Sequence, residues 1–161
     1  MRDPLDASRA LRPFVDLHVG MLERFRRHRD LVIERDFAAS ARELAGFRRE
    51  LRAHMRMEER HVLPLYAARV EPGPGGGADV FIAEHRNLIR NLDGIAKGFA
   101  ALRRKRRPSA RDLQLFLESE HLFIQILDHH DRRERNLLYP RLEAALAGPE
   151  RRSLLEAAGL P

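Results

Sequence analysis

The sequence predicts an all-α protein, an antiparallel up-down-up-down four-helix bundle closed by a short fifth helix. Three observations carry that reading. Apolar residues recur at three- and four-residue spacing, as in Phe14, Leu17, Met21 and Phe25, and again in Leu113, Phe116 and Leu117. No alternating strand pattern competes with this period, and Ala, Leu, Glu and Arg dominate over β-branched residues. Glycine and proline gather at three breaks: Glu71 to Gly77, Pro108–Ser109 and Gly148–Pro149.

Between the breaks the period predicts helices over about 12–34, 38–69, 78–104 and 109–147. A fifth, about 149–158, starts with Pro149 in the first turn, where a missing N–H costs nothing. Short links between long helices favour antiparallel neighbours. The 161 residues suffice for one domain with a true core, and the whole chain reads as one. Cysteine is absent, which excludes disulfides, thiolate metal sites and thiol nucleophiles. Arg2, Asp3, Asp6 and Arg9 interrupt the first residues, and no apolar run approaches the ~20 residues of a membrane span. A soluble, cytoplasmic protein is expected. Lys and Arg number 30 against 24 Asp and Glu, a net charge of +6, with the densest run at Arg103–Arg107. No stacking aromatics interleave it, so it reads as a solvated loop rather than a nucleic-acid surface.

The chain repeats itself. Phe14-x3-His18 in the first helix matches Phe81-x3-His85 in the third. Phe47-x6-His54-x3-Glu58-x5-Pro64 in the second matches Phe123-x6-His130-x3-Glu134-x5-Pro140 in the fourth. Residues four apart share a helix face, so each histidine and its glutamate point the same way. The phenylalanines lie on the same stripe, which directs these polar groups into the apolar interior. Uncompensated, buried carboxylates cost several kcal/mol, on the order of what would force them to protonate. A bound cation removes that cost. A lone histidine on such a stripe would read as a hydrogen-bonded core residue; recurrence in order, with matched flanks, does not.

In this pattern, His18, His54 with Glu58, His85, and His130 with Glu134, the chain resembles the hemerythrin-like family, the HHE cation-binding domain. The resemblance runs from the first helix through Pro140. It implies a four-helix bundle holding two iron ions with bridging carboxylates and an oxo or hydroxo bridge. It also implies binding or sensing of O2, NO or peroxide, or a part in iron and oxidative-stress handling. The nitrogen and oxygen ligand set suits iron and would also accept manganese or zinc. With Glu58 and Glu134 bridging, one position stays open on each iron. The chain departs from oxygen-carrying hemerythrins: Phe81 and Ile89 stand where a second histidine of the third helix would, and Glu134 replaces an aspartate. His61, seven after His54, is the best candidate for a fifth histidine, as ligand or neighbour. His129 is expected beside the site. Either Tyr66 or Tyr139 could hydrogen-bond a bridging carboxylate, unless both are simply packed. The four phenylalanines would form an apolar ring around the metals. Alternatives are a di-iron enzyme decomposing peroxide or NO, and a ferritin-like oxidase built on Glu58-x2-His61 and Glu118-x2-His121. A protein partner or a homodimer is compatible with everything above.

Overall fold

A computed structural model describes residues 11–161 and is helical throughout, with no strand among the described residues. The elements are α1 (Arg12–Ile33), α2 (Phe37–Met57), α3 (Leu63–Arg69), α4 (Ala78–Arg104), α5 (Ala110–Arg133), α6 (Tyr139–Ala145) and α7 (Gly148–Ala158). None of these helices is long and apolar enough to cross a membrane. The acidic and basic residues that argued against a leader segment, Arg2 to Arg9, lie outside the described residues.

Helix boundaries follow from local chemistry. Asp36 accepts from the Ala39 N–H at 2.9 Å and starts α2. Ser109 and Asp112 form a capping box that starts α5. Arg35 ends α1 in the left-handed region, at φ 63°, a conformation that side chains disfavour. Its guanidinium compensates by donating to the Pro108 carbonyl at 2.8 Å. Arg103 to Arg107 are exposed over the end of α4 and the α4–α5 turn, where Lys105 pairs with Asp112.

The long second and fourth helices expected from the sequence are each interrupted. A π-helical turn, Glu58–Val62, joins α2 to α3, and a second, Glu134–Leu138, joins α5 to α6. Each begins at the repeated glutamate and ends two residues before the repeated proline. The Leu63 N–H reaches the Glu58 carbonyl and the Tyr139 N–H reaches that of Glu134, five residues back. Pro64 and Pro140 lack the N–H that would continue the α ladder and crowd the carbonyl four residues before them. The wider turn relieves that clash.

Helix α1 packs on α2 and α4 on α5, while α2 meets α4 and α1 meets α5. The interior falls into two apolar clusters. One holds Met21, Phe25, Phe47, Leu51, Leu88, Phe99, Phe123 and Leu127 among others. The second is built around Phe14, Val62, Tyr66, Phe81, Leu138, Tyr139 and Leu142. Along each long helix, the repeated histidines and glutamates fall between residues of one cluster and residues of the other. The four phenylalanines therefore do not make a single ring: Phe14 and Phe81 close one side of a polar layer, Phe47 and Phe123 the other. All four are essentially inaccessible to solvent.

Candidate metal centre

Six side chains come together in that layer: His18 from α1, His54 from α2, Glu58 and Glu134 from the starts of the π turns, His85 from α4 and His130 from α5. Five of the six are buried, and His18 is nearly so. The glutamates are wholly inaccessible.

Two imidazole pairs face each other across the glutamates. His18 and His54 meet edge to face, with ring centroids 4.4 Å apart and Nε2 atoms 2.7 Å apart. His85 and His130 form the matching pair at 4.9 Å. The carboxylates span the pairs. Glu134 directs Oε2 toward His18 Nε2 at 3.3 Å and Oε1 toward His130 Nε2 at 2.8 Å. Glu58 Oε2 lies 3.2 Å from His54 Nε2 and 3.4 Å from His85 Nε2. Short as these approaches are, their angles leave Glu58 Oε2, both Glu134 oxygens, His85 Nε2 and His130 Nε2 buried without a hydrogen-bond partner. Lone pairs that converge on shared space instead of on one another match a cation of nitrogen and oxygen preference. The donor set is thus a fit for iron, and equally for manganese or zinc. Two overlapping groups, Glu58–His85–His130–Glu134 and His18–His54–Glu134, each place their ligand atoms within 4.8 Å of one another.

The outer ring nitrogens are held by residues that the repeat alone does not reveal. His18 Nδ1 is 2.6 Å from Asp131, His85 Nδ1 is 3.0 Å from Glu59, and His130 Nδ1 is 2.9 Å from Glu84. Each carboxylate sits one residue from a site residue in sequence, about 100° round its own helix, where it reaches a neighbouring helix's imidazole. That adjacency is the only sequence signal they carry. Such partners fix the tautomer and orientation of a ligating imidazole.

Without a cation, the site balances its own charges. Burial disfavours charge on His85 and His130, but Glu134 and Glu58 outweigh it for the first, and Glu134 and Glu84 for the second. Their pKa values are raised to about 10 and about 9. Burial likewise opposes charge on His18, yet Asp131, Glu134 and Glu58 raise its pKa. Burial pushes Glu58 up, whereas His54 and His85 hold it well below the carboxylate range. Asp131 and Glu84, although burial raises both, are lowered by His18 and His130 respectively.

Tyr139 donates its phenolic hydrogen to Glu58 Oε1 and stacks on Phe14, with centroids 5.5 Å apart. Of the two tyrosines, it is therefore the one on the carboxylate; Tyr66 instead donates to the Gly76 carbonyl at 3.0 Å. Burial and then the Glu134 and Glu58 charges push the Tyr139 phenol well above its ordinary pKa, so it keeps its proton. In an uninterrupted α-helix a residue five after Glu134 would lie roughly 140° away from it. The five-residue π turn brings Tyr139 back over Glu134 and into the site.

The same device removes His61. Its expected position rested on unbroken α-helical phase from His54, and the π turn after Glu58 swings it away. It borders an outer groove with Arg60, Pro64, Leu65 and residues of α7, outside the cluster. His129 is exposed on α5, beside the layer but not in it. Glu118 and His121, the second half of the Glu-x-x-His pair, are exposed and bond to Gln114 and Gln125 on their own helix. A ferritin-like pairing of these residues has no counterpart in the interior.

No curated protein and no solved structure matches the chain. A family model described as the hemerythrin HHE cation binding domain matches residues 10–142, which contain all six clustered residues. The chain belongs to the hemerythrin HHE cation-binding domain family.

Proposed function

We propose that this chain is a non-haem di-iron protein that binds or senses a small molecule such as O2, NO or peroxide. In this reading His18, His54, Glu58, His85, His130 and Glu134 are the ligands, carried by an antiparallel up-down-up-down bundle. The observation that carries it is the set of buried, unpartnered nitrogen and oxygen atoms converging between two imidazole pairs. Iron held there would supply Lewis acidity, one-electron redox chemistry and open positions for a small ligand. The chain's own residues do the rest. Glu58 and Glu134 span the two imidazole pairs and neutralise cationic charge in a dry layer. Asp131, Glu59 and Glu84 orient three of the imidazoles and raise their basicity. Tyr139 keeps its proton and donates it in a hydrogen bond to Glu58 Oε1, which leaves Oε2 free to face the centre.

Ligand size favours the small-molecule reading. Beside His18 lies a cavity of about 30 Å³ bounded by Met21, Leu22, Phe47, Leu51, Leu127, Asp128 and Asp131. That volume holds a water or a diatomic molecule. Its mostly apolar walls suit an uncharged guest. Metal analysis and absorption spectra of anaerobically purified, then oxidised, protein test the assignment. About two irons per chain, with the near-ultraviolet charge-transfer bands of an oxygen-bridged ferric pair, are expected. A single zinc, or no metal, would sink it. Exposure to NO or peroxide then separates the roles: a stable adduct marks a binder or sensor, and steady turnover marks an enzyme.

A further inference from the structure

The two halves repeat in sequence, but their surroundings do not. His130 Nδ1 rests 2.9 Å from Glu84, the residue immediately before His85. The residue at the same place in the first half, immediately before His18, is Leu17. His54, the counterpart of His130, accordingly has a buried Nδ1 with no hydrogen-bond partner among the described residues. Leu17 and His54 border one cleft of about 650 Å³ between α1 and α2, together with Gly20, Met21, Ala53 and Met57. A leucine therefore occupies the position from which its counterpart, Glu84, reaches a histidine in the other half.

We infer that Leu17 makes the His18–His54 half of the centre the weaker metal-binding half, and that the two metal ions load unequally. The inference rests on the function proposed above. A carboxylate on the far nitrogen makes an imidazole a stronger donor and fixes its orientation, and its loss typically costs 10- to 100-fold in metal affinity. Carboxylate oxygens lie 3.0, 2.9 and 2.6 Å from the Nδ1 atoms of His85, His130 and His18, the last at a poor hydrogen-bond angle, whereas among the described residues no carboxylate pairs with His54 Nδ1. The small cavity beside His18 opens onto this same half. The more loosely held ion is thus the one beside that small cavity.

Anaerobic titration of the metal-free full chain with Fe2+ alone, followed by calorimetry, tests this. Wild type should show two steps separated by about 10- to 100-fold in affinity. Leu17→Glu should tighten the weaker step by about tenfold or more and leave the tighter one unchanged. Leu17 is partly exposed, so a glutamate there does not force burial of an unpaired charge. Glu84→Leu should weaken the tighter step and bring the two together, and it serves alone if Leu17→Glu fails to fold. A single unresolved wild-type step overturns the inference while leaving the di-iron reading standing. An unchanged ratio of steps in the folded variants does the same. Absence of any Fe2+ binding overturns both.

Discussion

At the scale of single residues, the metal layer is not the only place where charge-bearing groups are buried. His28 and Glu120 are both wholly inaccessible, and His28 Nε2 lies 2.7 Å from Glu120 Oε1. Ser40 donates its hydroxyl to the His28 carbonyl, and its own carbonyl and hydroxyl flank His28 Nδ1 at 2.9 and 2.7 Å. Phe99 and Phe116 present ring edges to the same imidazole. His28 lies outside the repeated pattern, and its contacts tie α1 to α2 and α5. Removing one member of such a pair strands the other in the interior. Glu120→Ala should therefore cost about 3 kcal/mol or more. At ~2–4 °C per kcal/mol for a chain of this size, that is a fall in melting temperature of roughly 10 °C. Metal content should not change, because this cluster lies among the residues of the other apolar core region. A variant melting within a degree or two of wild type would show that the pair is dispensable, and lost metal would show that it is not separate from the layer.

At the scale of elements, the two π turns decide which side chains reach the layer. His54 and Glu58 keep α-helical spacing, since the Glu58 N–H still bonds to the His54 carbonyl, so they share a face. Everything after the glutamate is rephased. His61→Ala should on that account leave metal stoichiometry at the wild-type value, while His85→Ala should lower it or abolish the tighter step. Equal losses in the two variants would mean that the turn does not hold in solution. The contrast also marks the boundary of what the sequence reveals. Helix positions and the six converging residues were legible because a 3.6-residue period and a two-fold repeat are properties of the string itself. Pro64 and Pro140, each six residues after a glutamate, were visible too. Their consequence, a carbonyl bonded five rather than four residues on, is a choice of the folded backbone and was not. Tyr139 was for that reason only one of two candidates. Glu59, Glu84 and Asp131 were hidden differently, because each acts on a histidine of another helix. Contacts between helices depend on rotation and depth of packing, which no spacing within one helix encodes.

For the whole molecule, the layer couples folding, protons and metal. His85 and His130 have folded-state pKa values of about 10 and about 9, above the ~6.5 of an exposed imidazole. Their protonated forms therefore stabilise the metal-free fold fully below about pH 6.5, and this contribution is lost as pH rises through 9 to 10. Glu58 is depressed, so its contribution is present above about pH 4.5 and is lost as pH falls through its lower folded value. The metal-free protein should be most stable between roughly pH 4.5 and 6.5 and should weaken steadily toward pH 10. Metal reverses the slope. Ligation needs neutral imidazoles, so below pH 9 binding releases protons and its affinity rises with pH. The stabilisation by a fixed excess of metal, which grows as affinity grows, must then increase from pH 6 to pH 8. Thermal melts of metal-free and metal-loaded protein at pH 6, 7, 8 and 9 measure both trends at once. The two curves should diverge as pH rises, with the metal-free curve falling. If metal-free stability stays flat or climbs over that interval, the imidazoles do not carry the protons that the carboxylates around them hold in place. If the gap between the curves ignores pH, the metal is bound by something other than this layer.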